Sequence, residues 1–205
     1  MRKKIYVLAA AAVMAGVMMT ACASKSTTEP TTEAVTEAPT QAETTEAESN
    51  GNSDEASADE TLNKAHEAVK AAYGDNYIPN MPYDATALKE VFGVSAELYD
   101  SFIAEGPMIS VNVETFIGVK SKEGKAADVA AALEAYRKKQ LDEAVQYPMN
   151  MVKLQAAQVV THGDYVFFVM LGAADPAEEE KGESEALESA KKNNQIAVDA
   201  LAELF

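Results

Sequence analysis

The sequence predicts an α+β domain, one small antiparallel or mixed sheet covered by helices, carried behind an export signal and a polar tether. Three observations lead to it. Residues 109–120 alternate apolar and polar side chains, residues 165–171 are almost continuously apolar, and long stretches on either side repeat apolar residues at intervals of three and four. Period two marks strands, period 3.6 marks helices, and each amphipathic face needs a partner to cover it.

In chain order, Asp59 and Glu60 open a helical stripe of Leu62, His66, Val69 and Tyr73 that stops before Gly74. A loop with Pro79 and Pro82 precedes a short helix over Thr86 to Phe92, closed by Gly93. Ser95 is placed to cap a third helix, from Ala96 to about Ala104. The strand near 109–120 sets Ile109, Val111, Val113, Thr115, Ile117 and Val119 on one side; Phe116 on the other side points to cover on both faces in its second half.

A charged turn leads into a long helix near 126–146, with Ala130, Leu133, Leu141 and Val145 on one face and Pro148 as its stop. A hairpin follows, with strands near 154–160 and 165–171 around Thr161-His162-Gly163-Asp164. A C-terminal helix from about Ala186 to Leu204 ends the chain. A right-handed crossover through the long helix would make the sheet mixed, with one parallel pair. The same stripes are also compatible with a mostly helical domain carrying one hairpin.

Ahead of this domain the grammar is that of export. Arg2, Lys3 and Lys4 precede an apolar run from Ile5 to Met19, 15 residues long. Spanning a hydrocarbon core as a helix takes about 20 residues, so a cleaved signal is the better reading than a permanent anchor. Met19-Thr20-Ala21-Cys22 resembles the bacterial lipoprotein processing site, with Met19 where Leu is usual; the resemblance implies a diacylated Cys22 as the first mature residue. Two acyl chains of the palmitate type hold a protein firmly to a bilayer.

The predicted organisation is therefore residues 1–21 as lipoprotein signal peptide, 22–58 as lipidated cysteine and disordered tether, and 59–205 as one folded domain. Residues 23–58 contain eight Thr and seven Glu with Val35 as their one larger aliphatic residue, too little apolar surface to offset the entropy of ordering. As a flexible chain of this length the tether would hold its ends about 35 Å apart.

Charge and composition exclude several functions. The chain has 33 acidic and 17 basic residues, two His and one Cys, for a net charge of −16. Residues 59–205 alone hold 25 acidic and 13 basic residues. A basic nucleic-acid surface, a disulfide scaffold and a His/Cys zinc domain are all ruled out on these numbers. The same field repels an anionic leaflet, so contact with the membrane is expected through the lipid anchor alone. The partners it attracts are a basic protein, a cationic ligand or a cell-wall component.

Few residues present themselves as chemistry. His66 lies on the apolar stripe of the first helix, where a side chain bonded within the fold is the simpler reading than catalysis. His162 and Asp164 flank Gly163 and superficially resemble a base with its orienting acid, but a hairpin turn explains the same triplet. Asp175, Glu178, Glu179 and Glu180 open the densest acidic run; they are candidates for loose calcium binding, without the order of an EF-hand loop. No phosphate loop or nucleophile elbow occurs, and no cofactor is implied.

The order of lipoprotein signal, Thr/Glu/Ser-rich tether and compact domain carries a resemblance, together with Ile109 to Lys120, the Ala126 to Gln146 helix and Gly163-Asp164-Tyr165-Val166-Phe167-Phe168. It resembles the uncharacterised lipoproteins of clostridial Firmicutes grouped as domain of unknown function 4358. That resemblance implies an extracytoplasmic, lipid-anchored protein on the outer face of the cell membrane of a Gram-positive bacterium, and implies no catalytic residues. The expected function is a binding or accessory module. The alternatives are a cell-wall glycan hydrolase working through Asp and Glu, or a small-solute or calcium-binding lipoprotein.

Overall fold

The computed structural model describes residues 59–143 and 145–205. Arg2, Lys3, Lys4, Cys22 and the tether over 22–58 lie outside the described residues. The described chain runs α1 (Glu60–Tyr73), a 3₁₀ turn (Gly74–Asn76), β1 (Met81–Pro82), α2 (Ala85–Glu90), β2 (Tyr99–Gly106) and β3 (Thr115–Ser121). It continues with α3 (Ala126–Glu143), α4 (Pro148–Ala156), β4 (Gln158–His162), β5 (Tyr165–Met170), α5 (Pro176–Glu179) and α6 (Glu183–Ala202).

The five strands form one sheet in the order β1-β2-β3-β5-β4, with every neighbouring pair antiparallel. The α+β class predicted by the sequence is the observed one. The expected parallel pair is not formed. β3 and β4, which α3 and α4 connect, do point the same way, but β5 folds back between them as the second arm of a two-residue hairpin. Gly163 opens that turn at φ 60°, the left-handed value that primed hairpin turns need at their first central position.

The alternation along β3 divides the core into two layers. Ile117 and Val119 point into one cluster with Val129 and Leu133 of α3, Leu88 of α2, Leu154 of α4, and Val166 and Phe168 of β5. Phe116 points into the other, with Leu62, Ala65 and Val69 of α1, Phe167 and Val169 of β5, and Ala197 and Leu201 of α6. Helices therefore cover both faces, and full burial of the Phe116 and Phe167 side chains contributes roughly 1.5–3 kcal/mol each. Gly118 keeps the second layer thin: a Cβ there would lie 3.0 Å from the Phe167 ring.

Several expectations are corrected. The third helix expected from Ala96 to about Ala104 is not formed: Tyr99–Gly106 is β2, because pairing with β3 over Tyr99 to Glu105 decides the state of a segment of mixed propensity. The strand expected near 109–120 begins at Thr115. Asn112 ends the pattern before it: its side-chain oxygen accepts the N–H groups of Val113 (2.8 Å) and Glu114 (3.3 Å), a local turn that competes with the ladder, and leaves Ile109 and Val111 exposed.

Residues 154–156 belong to α4, not to a strand. Pro148, read only as a stop, also starts this helix at a position whose N–H would have no intrahelical partner anyway. The long helix ends at Glu143, and Val145, placed on its apolar face by the spacing, is fully exposed. At α6 the buried line is Ala186, Ala190, Asn194, Ala197 and Leu201, so Ile196 and Leu204 are exposed.

Candidate functional site

The stretch that joins β5 to α6 is held in place by polar side chains of α6. Asn194, with no exposed surface, accepts the Leu171 N–H at 2.9 Å and donates to the Ala156 carbonyl at 3.1 Å, tying the ends of β5 and α4 together. Asn193 donates to the Ala173 carbonyl at 2.7 Å, and Ser189 exchanges hydrogen bonds with the Asp175 N–H (3.0 Å) and carboxylate (3.1 Å). Tyr73, in the last turn of α1, donates to the Asn193 carbonyl at 2.6 Å.

These elements enclose a cleft of about 460 Å³. Its walls are the end of α1 (Tyr73, Asn76), Ile78, the 171–175 segment, and Asn193 and Ile196 of α6. Asn112, Glu114 and Lys153 complete the lining. The size suits a ligand of modest dimensions.

Glu114 and Lys153 form an ion pair here, with 3.4 Å between Oε2 and Nζ and side chains 5% and 11% exposed. Asn112 Oδ1 accepts from the Lys153 ammonium at 3.1 Å, so the same Asn112 that ends the strand pattern also positions the lysine. Among the described residues Glu114 Oε2 has no hydrogen-bond partner, despite the nearby ammonium. A buried carboxylate oxygen in that condition costs more than one in water, and pairing alone repays desolvation only when the remaining lone pairs are also satisfied. Burial, and secondarily the Glu114 charge, push the Tyr73 hydroxyl well above its usual range, so it stays a protonated donor.

Of the residues proposed from the sequence, none lines this cleft except Asp175. His66 lies at the sheet face, its Nε2 3.0 Å from Glu105 Oε2 and 3.3 Å from the Tyr77 hydroxyl, with its ring stacked on Phe116. Tyr77 also donates to Glu105 Oε2 at 3.1 Å. Burial works to raise the Glu105 carboxyl, but the bond and charge of His66, the Tyr77 bond and the Lys70 charge together hold it below the usual carboxylate range.

His162 stacks on Phe205 at 5.0 Å, and the backbone carbonyl of Asp164 accepts from the Ser121 N–H (2.8 Å) and hydroxyl (2.7 Å). The structure thus uses the turn as a turn and does not join His162 to Asp164 by a side-chain hydrogen bond. Asp175 is engaged with Ser189, and Glu178 pairs with Lys181 at 2.6 Å. Among the described residues, no group of three His, Cys, Asp or Glu side chains converges as a metal site would require.

Sequence reasoning missed Glu114, Lys153 and Asn112. One signal was there: Lys153 is the single charge in the mostly apolar stretch from Pro148 to Leu154, a place where lysine is rarely buried unless paired.

Residues 72–171 match the model of the family described as domain of unknown function DUF4358. Over those residues, just under half of the chain, the protein is similar to this family. No curated protein and no solved structure matches the chain. The DUF4358 segment contains the sheet, α2, α3 and α4, whereas most of α1 and all of α6 lie outside it. The cleft straddles that limit: Glu114 and Lys153 come from the DUF4358 segment, and Asp175, Asn193 and Ile196 from the helical extension.

Proposed function

We propose that this protein is a lipid-anchored, extracytoplasmic binding module that presents the Glu114–Lys153 cleft to a small ligand. The observation that carries the reading is the placement of the cleft relative to the start of the domain. Asp59, where the tether reaches the domain, caps α1 through the Leu62 N–H at 2.8 Å, and its other oxygen lies 3.5 Å from Lys120 Nζ and 3.3 Å from the Tyr165 hydroxyl. Lys120 pairs with Tyr165 at one end of β3 and β5, while Thr115 pairs with Met170 at the other, beside Glu114 and Leu171. Six residues of strand separate the two ends by roughly 17 Å, and the four turns of α1 span about 20 Å.

A lipid on Cys22 and the 36-residue spacer after it therefore enter the domain at one pole, and the cleft opens at the opposite one. This is the arrangement a display module needs. Among the described residues no helix is long and apolar enough to cross a membrane. The reading takes attachment to be through a diacylated Cys22, which holds a protein firmly to a bilayer. A hydrolase acting through paired carboxylates is less well supported, since Glu114 is tied to Lys153 and Asp175 to Ser189.

The test is mass spectrometry of the mature protein from membranes, together with fractionation of cells carrying Cys22→Ala. A diacylated Cys22 at the N-terminus, and loss of the variant from the membrane fraction, are expected. An unmodified Cys22, or membrane retention of the variant, refutes the anchored reading.

A further inference from the structure

The charges that line the cleft narrow the ligand's chemistry, on the reading that the cleft is a binding site. Lys153 is its one cationic side chain, against the carboxylates of Glu114 and Asp175. A free anion such as phosphate would meet more negative than positive charge there, in a domain already strongly acidic. A simple cation would find Glu114 covered by the Lys153 ammonium at 3.4 Å. An apolar ligand would leave both charges buried without new partners.

A ligand that brings one charge of each sign satisfies all of these conditions. We infer that the cleft binds a free amino acid, whose carboxylate takes the Lys153 ammonium while its ammonium takes Glu114 Oε2. The oxygen is buried, lies 3.4 Å from the Lys153 ammonium and lacks a hydrogen-bond partner among the described residues, so the pair is incomplete as it stands. A ligand carboxylate draws the flexible lysine head toward the cleft, and the oxygen thus uncovered accepts from the ligand ammonium. Four alternating charges then replace two, with every one paired.

The remaining lining sorts by the same logic. Ile78, Leu171 and Ile196 offer apolar surface for an aliphatic side chain, and Ile78 and Ile196 sit at the exposed rim, 40% and 39% accessible. Asn112 Oδ1 is already engaged by two backbone N–H groups and by Lys153, so it does not compete for the ligand ammonium.

Isothermal titration calorimetry on the full chain in detergent tests this with three probes of one carbon skeleton. L-leucine carries both charges, isocaproate lacks the ammonium and isoamylamine lacks the carboxylate. Saturable binding of L-leucine is expected, at least about tenfold tighter than either analogue. Glu114→Gln, which keeps the shape and removes the charge, should weaken L-leucine at least about tenfold, and Ile196→Trp should block it from the rim without touching the ion pair. Lys153→Met should do the same where circular dichroism shows it folded; where it is not, the other two variants decide.

Absence of saturable L-leucine binding up to about 10 mM overturns the inference, as does equal affinity for either single-charge analogue or an unchanged Glu114→Gln. N-acetylglucosamine serves as a neutral probe of another class. Its binding, abolished by Ile196→Trp, in the absence of L-leucine binding would overturn the amino-acid assignment and leave the cleft a binding site.

Discussion

Gly172 is the residue on which the cleft wall depends most directly. It follows β5 where the chain runs against α6, and a Cβ at this position would lie 2.1 Å from the Ala190 carbonyl oxygen, 2.7 Å from Asn194 Cβ and 3.0 Å from Asn194 N. Two of these are backbone atoms on the buried side of α6, so Gly172→Ala can be accommodated only by moving α6 away from the sheet. Overpacking of this kind costs roughly 1–3 kcal/mol. The same movement strains the two Asn194 hydrogen bonds to Leu171 and Ala156, worth about 1 kcal/mol each. The entropy removed from the unfolded chain returns only about 0.4–1 kcal/mol.

The expected net loss is about 2–4 kcal/mol, read from urea unfolding by circular dichroism at unchanged slope. In a domain of this size each kcal/mol lowers the melting temperature by about 2–4 °C, so a fall of roughly 4–16 °C is expected. Gly124→Ala is the control. Gly124 has open space around it but sits at φ 72°, so its substitution carries backbone strain alone, about 1–2 kcal/mol. A Gly172→Ala loss below about 1 kcal/mol, or one smaller than that of Gly124→Ala, would refute the close approach of α6 as the limiting contact.

Lys153→Met should destabilise the fold by about 3–5 kcal/mol because it strands a buried carboxylate, and adding Glu114→Gln should recover at least about 1 kcal/mol of that in a double-mutant cycle. Glu105 is held below its usual titration range in the fold, so the stability it contributes is fully present above its ordinary value of 4.5 and is lost as pH falls through the folded value. Glu105→Gln should therefore flatten the acid limb of stability against pH while changing its slope little at neutral pH; an unaltered acid limb would reject the His66–Tyr77–Glu105 cluster as its source. Asp59→Ala removes the α1 cap together with a partner of Lys120 and Tyr165, and a loss of about 1–2 kcal/mol in chemical denaturation is expected. A loss confined to a few tenths would mean that the tether junction is not fixed at this residue.

Local signals in the sequence served best where spacing or turn chemistry alone decides the structure. The Leu62-His66-Val69-Tyr73 stripe, Gly163 in the hairpin turn and the apolar strand near 165–171 follow from them and are found, with Asp59, read as opening the first helix, serving as its cap. Residues 99–104, expected as helix, and 109–114, expected as strand, went the other way. The first pair with β3, an edge supplied from further along the chain, whereas the second leave the strand pattern at the turn that the Asn112 side chain makes.

The cleft belongs to the same category. Glu114 and Lys153 are 39 positions apart in the sequence, and Asn193 is 40 further on, so no motif spacing could have joined them. The sequence by itself determined the acidic charge, the basic-then-apolar pattern that ends at Cys22, and the α+β class. Only tertiary packing decided that β5 would fold between β3 and β4, that α6 would close against Gly172, and that a carboxylate and an ammonium would meet at the far end of the sheet. Periodicity is a property of neighbours along the chain; a site is made by distant residues once the backbone hydrogen bonds and buried faces have fixed where they lie.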